Sequence, residues 1–392
     1  MRFVFVSTQV YFANQMRIGI EAQRIFRQKK HGMDIVILEI LRQLQQINTP
    51  HEYFAYAQPY KDVDTLHSTK NVRVKLSGPA LYPIWEQYIL PREIKKDKID
   101  LLHCTSNTAP ISTNVPLVVT IHDIIYLEKQ TGNNGVFYQK LGGIYRRWNV
   151  PQIAKKASMI VTVSDYERNR IIEKLNLPEE KVRTVYNACG NHFGDEYSAE
   201  ELQDFRKRMN LPERFVLFLG NTDPKKNLPN VIRTLGLLYE RKQLDFTLVI
   251  TDFKIEHLLP LLKEQNNEHL LKYIMLIGYV VNQELPKLYK LAQLFLYPSL
   301  RESFGIPILE AMQCGTPLIT SNTSAMPEIA GNGTALVDPT QPEEIAEKIV
   351  RLLNDTDMRT KVIAYGLQRV KLFSWKQTAE QIVNIYNEIL NI

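Results

Sequence analysis

Cys104, Cys189 and Cys314 are the only three cysteines in 392 residues. They are far apart and odd in number. That excludes a disulfide framework and the short spacings of a zinc site, and it points to a reducing compartment. No apolar run approaches the roughly 20 residues that a membrane-spanning helix needs. The chain also lacks G-x-G-x-x-G, the Walker A phosphate loop and H-E-x-x-H. The dinucleotide fingerprint, P-loop hydrolysis and zincin chemistry therefore have no support. No His/Asp cluster has metal spacing, so no catalytic metal and no cofactor are expected. No recognised nucleic-acid module is present, so no nucleic-acid partner is expected.

What is present fits a globular α/β protein. Hydrophobic residues make up 44% of the chain, and a length prior of roughly 150 residues per domain gives two to three domains. The net charge of +6 is uneven: residues 1–190 carry 26 Lys and Arg against 17 Asp and Glu, the remainder 22 against 25. A basic N-terminal half suggests an anionic partner or surface; chance and solvated helix faces compete with that reading. The opening MRFVFVSTQVYFANQ is too short and too polar for a signal peptide and reads as an extension, residues 1–15.

Apolar strands alternate with helical patterns from there on, which argues for parallel sheets with helices on both faces. In the first half the strands expected are Ile18–Ile20, Tyr53–Tyr56, Val72–Leu76, Ile99–His103, Leu117–His122, Met159–Val163 and Val182–Tyr186. A helix is expected over 32–47. Arg24, Arg27, Lys29 and Lys30 crowd the loop before it, read equally as a basic cleft lining and as a solvated loop. Trp85, Tyr88, Ile89 and Leu90 read as a core stripe. His103 and His122 each end a strand, the end at which open α/β sheets bind ligands. Residues 137–156 form a basic helical region, and Ser164 with Glu167 reads as a capping box. In the second half the strands expected are Phe215–Leu219, Phe246–Ile250, Tyr273–Ile277, Leu294–Tyr297 and Leu318–Thr320. The closing helix after Trp375 is long and amphipathic.

The most informative stretch is LFLYPSLRESFGIPILEAMQCGTPLITSNTSAMPEIAGNGTALVDP, residues 294–339. A strand, a polar loop and a helix start follow one another. That order sets the N–H groups of Gly305 and Ile306 where an anion can sit. Pro307 suits the first position of a helix and Gly315 its stop. Glu302 precedes the helix, and Glu310, with seven residues between, is expected in its first turn. From spacing alone the pair reads as structural, because a helix N-terminus favours acids. Lys225 and Lys226 follow another strand and precede a helix; two adjacent lysines are usually solvated, but at a strand's carboxyl end they can supply point charge to an anion.

The string RESFGIPILEAMQCGTPLI with its sequel SAMPEIAGNGTALVDPTQPEEIAEKI resembles the donor-site motif of retaining glycosyltransferases of family GT4. VVTIHDIIYL resembles the family's acceptor-site His-Asp segment, and Lys225-Lys226-Asn227 its basic pair. The likeness runs from about Met16 to the C-terminus. It implies the GT-B fold, two Rossmann-like doubly wound domains facing a central cleft. The domains would be 16–190 for the acceptor, a linker 191–201, 202–372 for the donor, and a helix 373–392 crossing back to the first domain. It further implies transfer of a hexose, with retention, from a nucleotide-sugar donor (GDP-mannose is the guess) to a glycan or polyprenyl-diphosphate-linked acceptor in surface-polysaccharide synthesis. The protein would be cytoplasmic, with peripheral attachment to an anionic membrane surface at the inner face of the plasma membrane as the further option. A GT-B epimerase or phosphorylase and an inactive scaffold of the same fold are the competing readings.

By this resemblance His122, Glu302 and Lys226 are catalytic. Gly32, Lys225, Lys226, Asn227, Gly278, Tyr279, Val280, Glu302, Ser303, Phe304, Gly305, Ile306 and Glu310 bind the donor. His103, His122 and Asp123 form the acceptor side. The chain departs from the family pattern at three places. Gly32 is the single glycine of its loop, Asn221 and Thr222 stand where some members carry Arg, and Asn187-Ala188 replaces the frequent Asn-Gly at the domain crossing.

Overall fold

A computed structural model describes residues 15–28, 30, 32–128 and 137–392, with side chains from 142 onward in the last of these. The expected extension, apart from its last residue, and Lys29 lie outside the described residues. The chain divides into two compact units. One comprises the residues up to Thr162 with Arg170–Val185 and Lys376–Ile392; the other comprises Val163–Asn169 and Tyr186–Trp375.

The first unit holds seven strands: β1 (Arg17–Glu21), β2 (Glu52–Ala57), β3 (Val72–Leu76), β4 (Leu101–Cys104), β5 (Leu117–Thr120), β6 (Met159–Thr162) and β7 (Val182–Thr184). Their order is β3-β2-β1-β4-β5-β6-β7, and every pairing is parallel. β4, β5 and β6 are buried at every position, as expected of strands covered on both faces. The second unit holds β8 (Phe215–Leu219), β9 (Thr247–Thr251), β10 (Ile274–Gly278), β11 (Leu294–Tyr297), β12 (Leu318–Ser321) and β13 (Ala335–Val337), ordered β10-β9-β8-β11-β12-β13 and again wholly parallel. Two cores line this sheet, one around Phe215, Leu217 and Phe295, the other around Val216, Phe218 and Leu294. Alternate residues of one strand feed opposite faces, the signature of a doubly wound sheet.

Six helices matter below: α1 (Gly32–Leu44), α2 (Phe137–Lys156), α3 (Asp165–Leu175), α4 (Leu228–Glu240), α5 (Ile306–Gln313) and α6 (Trp375–Leu390). In α6 the hydroxyl of Tyr386 lies 2.6 Å from His103 Nδ1, and Asn387 bonds His51 at 2.9 Å. The stretch expected as a linker contains a 3-10 turn, Asn191–Gly194, and Ser198 caps the following helix with a complete capping box to Glu201. Among the described residues no helix is long and apolar enough to cross a membrane.

Several elements differ from expectation. α1 stops at Leu44, three residues early. The core stripe is split, because residues 82–96 run through a π-helical turn, Trp85–Ile89. Trp85 and Leu90 are fully buried while Tyr88 is 64% exposed. The extra residue per turn rotates Tyr88 off the buried face. The basic loop before α1 is largely spoken for: Lys30 pairs with Asp62, Arg24 stacks on Tyr82 at 4.6 Å and Arg27 on Tyr60 at 5.5 Å.

Candidate functional site

Each sheet has one point where successive crossovers leave in opposite directions: between β1 and β4, and between β8 and β11. Loops at the carboxyl ends of such strands diverge and leave a crevice. In the second unit those loops carry the expected site.

β8 ends at Leu219. A Cβ on Gly220 would fall 2.6 Å from Ile250 Cγ2 and 2.8 Å from the Thr251 carbonyl, so only glycine passes. Asp223 then caps the 3-10 turn Pro224–Lys226, its carboxylate accepting from Lys225 N at 3.0 Å. Asn227 is left-handed (φ 67°), and its amide donates to the carbonyls of Pro298 (3.0 Å) and Pro339 (2.7 Å). Leu300 N donates to the Lys225 carbonyl at 2.7 Å. The loops after β8 and β11 are thus stitched together, and Asn227 is their clamp.

The stitching brings Lys226 onto Glu302. Lys226 Nζ lies 2.8 Å from Glu302 Oε1 and 3.1 Å from the Tyr297 hydroxyl; Lys225 Nζ is 3.7 Å from Glu302 Oε2. Glu302 is 8% exposed. Burial pushes its carboxyl up, but the two ammonium groups and the Tyr297 hydroxyl outweigh it and hold the carboxyl below the usual range. Glu302 is therefore a carboxylate at neutral pH.

Glu310 behaves differently. It is the fifth residue of α5, in the second turn and not the first, because the helix begins at Ile306, one residue before Pro307. Equally buried, it accepts one hydrogen bond, from the Tyr289 hydroxyl at 3.0 Å. Burial pushes its carboxyl up to about 7, against the weaker pull of Tyr289 and Lys226. Two acids eight positions apart thus differ in charge state because one has two cations beside it.

Gly305 is the N-cap of α5 at φ +93°, and an added Cβ would meet Ile308 Cδ1 at 3.0 Å. The left-handed turn starts the helix sharply, leaving first-turn N–H groups without helical partners. Behind it, Phe304 packs against Tyr186 and Phe373, and the Ser303 carbonyl accepts from Ser164 Oγ at 2.6 Å. The expected capping box is present in its Ser164 half, with Glu167 N donating to Oγ at 3.2 Å, while the Glu167 carboxylate takes Arg301 at 3.2 Å. Glu328 completes the buttress by accepting from Asp165 N (2.7 Å) and Tyr166 N (3.0 Å) at the start of α3. Gly278 ends β10 at φ +70°, followed by exposed Tyr279 and buried Val280.

In the first unit, Glu21 ends β1 fully buried and binds Thr105, which follows β4: Thr105 Oγ1 donates to the Glu21 carbonyl at 2.7 Å. β5 ends at Thr120, so His122 lies in the loop beyond it and not in the strand. His122 N donates to Asn107 Oδ1 at 2.6 Å, and Nε2 is 2.9 Å from the Thr105 carbonyl. A carbonyl only accepts, so Nε2 carries the proton and Nδ1 keeps its lone pair. Burial lowers the pKa, against the Thr105 bond and nearby Asp123 and Asp34, leaving a neutral imidazole. Asp123 accepts from Ile125 N at 3.2 Å. His103 lies inside β4, fully buried, with Nδ1 on Tyr386 and Nε2 on Thr120 Oγ1 at 2.8 Å. Neither nitrogen is left for a ligand. Gly32 opens α1, and a Cβ there would meet nothing within 4 Å.

Three participants escaped the sequence reading. Tyr297 closes β11 immediately before the site loop, a position that could have singled it out. Tyr289 reaches Glu310 from another helix, with no local signal. Glu86, in the π-helical turn, is fully buried and accepts from Tyr82 (2.8 Å), Thr108 (2.6 Å) and Tyr145; burial pushes its carboxyl up to about 7 despite those bonds. Among the described residues no three His, Cys, Asp or Glu side chains form a group that could hold a metal ion.

Residues 199–369 match the family model of the glycosyl transferases group 1, and residues 31–189 that of glycosyltransferase family 4. The O-antigen chain mannosyltransferase B of Escherichia coli is 31% identical over 245 residues, 62% of this chain and 64% of that protein. The chain spans between about a third and two thirds of the length of the mannosyltransferases it matches. A crystal structure of a glycosyltransferase from Rickettsia africae superposes with a TM-score of 0.74 at 18% identity, over 96% of this chain and 99% of that one. The Anabaena protein HepE, crystallised with UDP-glucose, gives 0.70 at 16% identity, over 95% and 100%. These structural neighbours share the architecture of two Rossmann-like units.

Proposed function

The chain belongs to the group 1, family 4 glycosyltransferases, and from that premise we propose that it transfers a hexose, with retention, from a nucleotide-sugar donor to a glycan or lipid-linked acceptor in surface-polysaccharide synthesis. The observation that carries this reading is the Lys226–Glu302–Lys225 cluster at the switch point of the second sheet. A departing nucleoside diphosphate needs charge already in place, since preorganised donors stabilise the transition state without reorganising. Lys226, with the N–H groups of Gly305 and Ile306, takes the phosphates. Glu302 then turns from its ammonium partner to the donor sugar near the reacting carbon. Glu310 accepts from the ribose hydroxyls, and Gly278, Tyr279 and Val280 frame the base.

Retention by double displacement would need a carboxylate beneath the anomeric carbon. Glu302 is committed to two lysines, which favours a front-face route in which the leaving phosphate helps remove the acceptor proton. His122, neutral and with Nδ1 unprotonated, contacts the sugar or acceptor as a hydrogen-bond acceptor. The relatives named mannosyltransferases support mannose as the sugar, while HepE was crystallised with UDP-glucose; the reading takes GDP-mannose as first choice. The protein works at the inner face of the plasma membrane.

A thermal-shift screen of GDP, UDP and dTDP sugars tests the reading, because a ligand of the native state raises Tm. One nucleotide class should do so, and incubation with its mannose or glucose form should yield a glycoside together with free nucleoside diphosphate. Glu302→Ala should keep nucleotide affinity within a few-fold and lose turnover. Absence of any shift with all three classes overturns the donor site, and sugar turnover without a glycoside product favours an epimerase.

A further inference from the structure

The described residues place five of the chain's exposed large apolar side chains on two adjoining helical segments of the first unit: Leu81, Ile84 and Tyr88 on or just before residues 82–96, and Ile144 and Trp148 on α2. The segments are locked together from beneath. The Tyr82 and Tyr145 rings meet edge-on at 5.9 Å, Gln87 donates to the Tyr145 hydroxyl at 2.7 Å, and Tyr145 also bonds buried Glu86. Tyr145 and Gln87 thus face inward, and their helical neighbours face out: Ile84 and Tyr88 four apart on one segment, Ile144 and Trp148 four apart on the other. Trp148 is 53% exposed, while Trp85 and Trp375 are buried.

The charges around this face are predominantly of one sign. Residues 137–156 contain five Lys and Arg and no Asp or Glu. On the other segment Arg92, Lys95, Lys96 and Lys98 are exposed. Its acids are mostly withdrawn: Glu86 is buried and Asp97 is held by Lys75 (3.1 Å) and the Tyr56 hydroxyl (2.9 Å). An aromatic and aliphatic face rimmed by basic residues fits an interfacial binding surface on anionic lipid. On such a surface apolar side chains enter the headgroup boundary, and each nearby cation adds to the attraction. A second copy of this chain would meet the same positive rim and be repelled.

We propose that Leu81, Ile84, Tyr88, Ile144 and Trp148, rimmed by Arg92, Lys95, Lys96 and Lys155, form a surface that inserts into the headgroup layer of an anionic bilayer. The proposal deepens the reading of a lipid-linked acceptor and rests on it for its purpose, but its own test needs no turnover. It also moves the weight of membrane attachment away from the loop before α1, where Arg24, Arg27 and Lys30 are engaged within the fold.

Sedimentation with phosphatidylcholine vesicles, with and without phosphatidylglycerol, decides it, together with tryptophan emission. Wild type should bind the anionic vesicles, its emission should shift to the blue, and Trp148→Phe should lose that shift. Tyr88→Ala with Trp148→Ala should weaken binding at least tenfold at constant charge, and Arg92→Glu with Lys95→Glu, Lys96→Glu and Lys155→Glu should abolish it. An unaltered circular-dichroism spectrum and Tm show that both variants are folded, and unaltered nucleotide binding leaves the donor reading intact. Equal binding of wild type and the apolar variant reduces the surface to an electrostatic film and overturns insertion. Concentration-dependent dimers that the apolar variant loses assign the face to a second copy and overturn the lipid.

Discussion

The two sheets are near copies in topology, yet the same point in each holds its polar groups differently. Between β8 and β11 the loops gather two ammonium groups around an ionised carboxylate, with a second carboxyl close to its titration midpoint. Between β1 and β4, and beside them at the end of β5, a neutral imidazole bonds a threonine carbonyl and a buried glutamate is tied to the same threonine. On the proposed reading, a diphosphate leaving the second crevice would meet cations already in place. In the first crevice the polar groups are bonded to one another, as buried polar groups must be. The architecture sets where a ligand sits, and the side chains at the strand ends set what it is.

The sharpest way to break this contrast is to remove the charge. Lys226→Ala should lower kcat/KM by about 10²–10³, the usual loss of a preorganised donor. It should weaken nucleoside diphosphate binding in calorimetry and flatten its salt dependence. It should also strand Glu302. Breaking one side of a buried pair costs roughly 3–5 kcal/mol, so a drop in Tm should accompany the loss, and Lys226→Arg should restore Tm more fully than turnover. Full activity in Lys226→Ala would leave the two crevices functionally alike.

A smaller effect sharpens the contrast inside the second unit. Glu310, with its carboxyl near 7, accepts hydroxyl hydrogen bonds best when ionised. Nucleotide affinity should therefore fall up to about tenfold from pH 8 to pH 6, as a group titrating near 7 passes from mostly ionised to mostly protonated. Glu310→Gln should remove that part of the dependence, which separates it from titration of the phosphate itself. Glu302, held low by two lysines, should contribute nothing across that range. Identical pH profiles for wild type and Glu310→Gln would remove the ribose assignment.

The alternation of short continuous apolar runs with helical patterns was enough to expect parallel α/β sheets, since runs such as FVLFL and LVVT suit strands covered on both faces. The Glu302–Glu310 spacing and the lysine pair were visible as well, but not their charge states. Those depend on Asn227 stitching two loops 70 residues apart and on Tyr289 arriving from another helix, and neither is local in sequence. The π-helical turn was invisible for a similar reason. WEQYIL reads as an ordinary amphipathic stripe until Glu86 is pulled inward by Tyr82, Thr108 and Tyr145, which turns Tyr88 out. His103 and His122 looked alike at the ends of two apolar runs. A shift of about two residues in where the strands stop puts one in the core and the other at the rim.

The last expected effect concerns stability in the first unit, not ligand binding. Glu86 is fully buried with its carboxyl near 7, far above its ordinary 4.5. A raised carboxyl means that the folded protein holds this proton more tightly than the unfolded chain does. Its contribution is therefore complete below about pH 4.5 and is lost as the pH rises through about 7. The shift corresponds to about 3 kcal/mol at most, spread over that window. Glu86→Gln keeps the shape and removes the titration. It also turns one acceptor into a donor against Gln87, a cost on the order of 1 kcal/mol at every pH. Relative to wild type, the Tm of Glu86→Gln should thus start slightly low at pH 5 and gain several degrees by pH 8, at roughly 2–4 °C per kcal/mol for a unit of this size. Parallel Tm profiles for the two proteins would mean that Glu86 stays ionised throughout, and that the first unit holds a buried charge of its own.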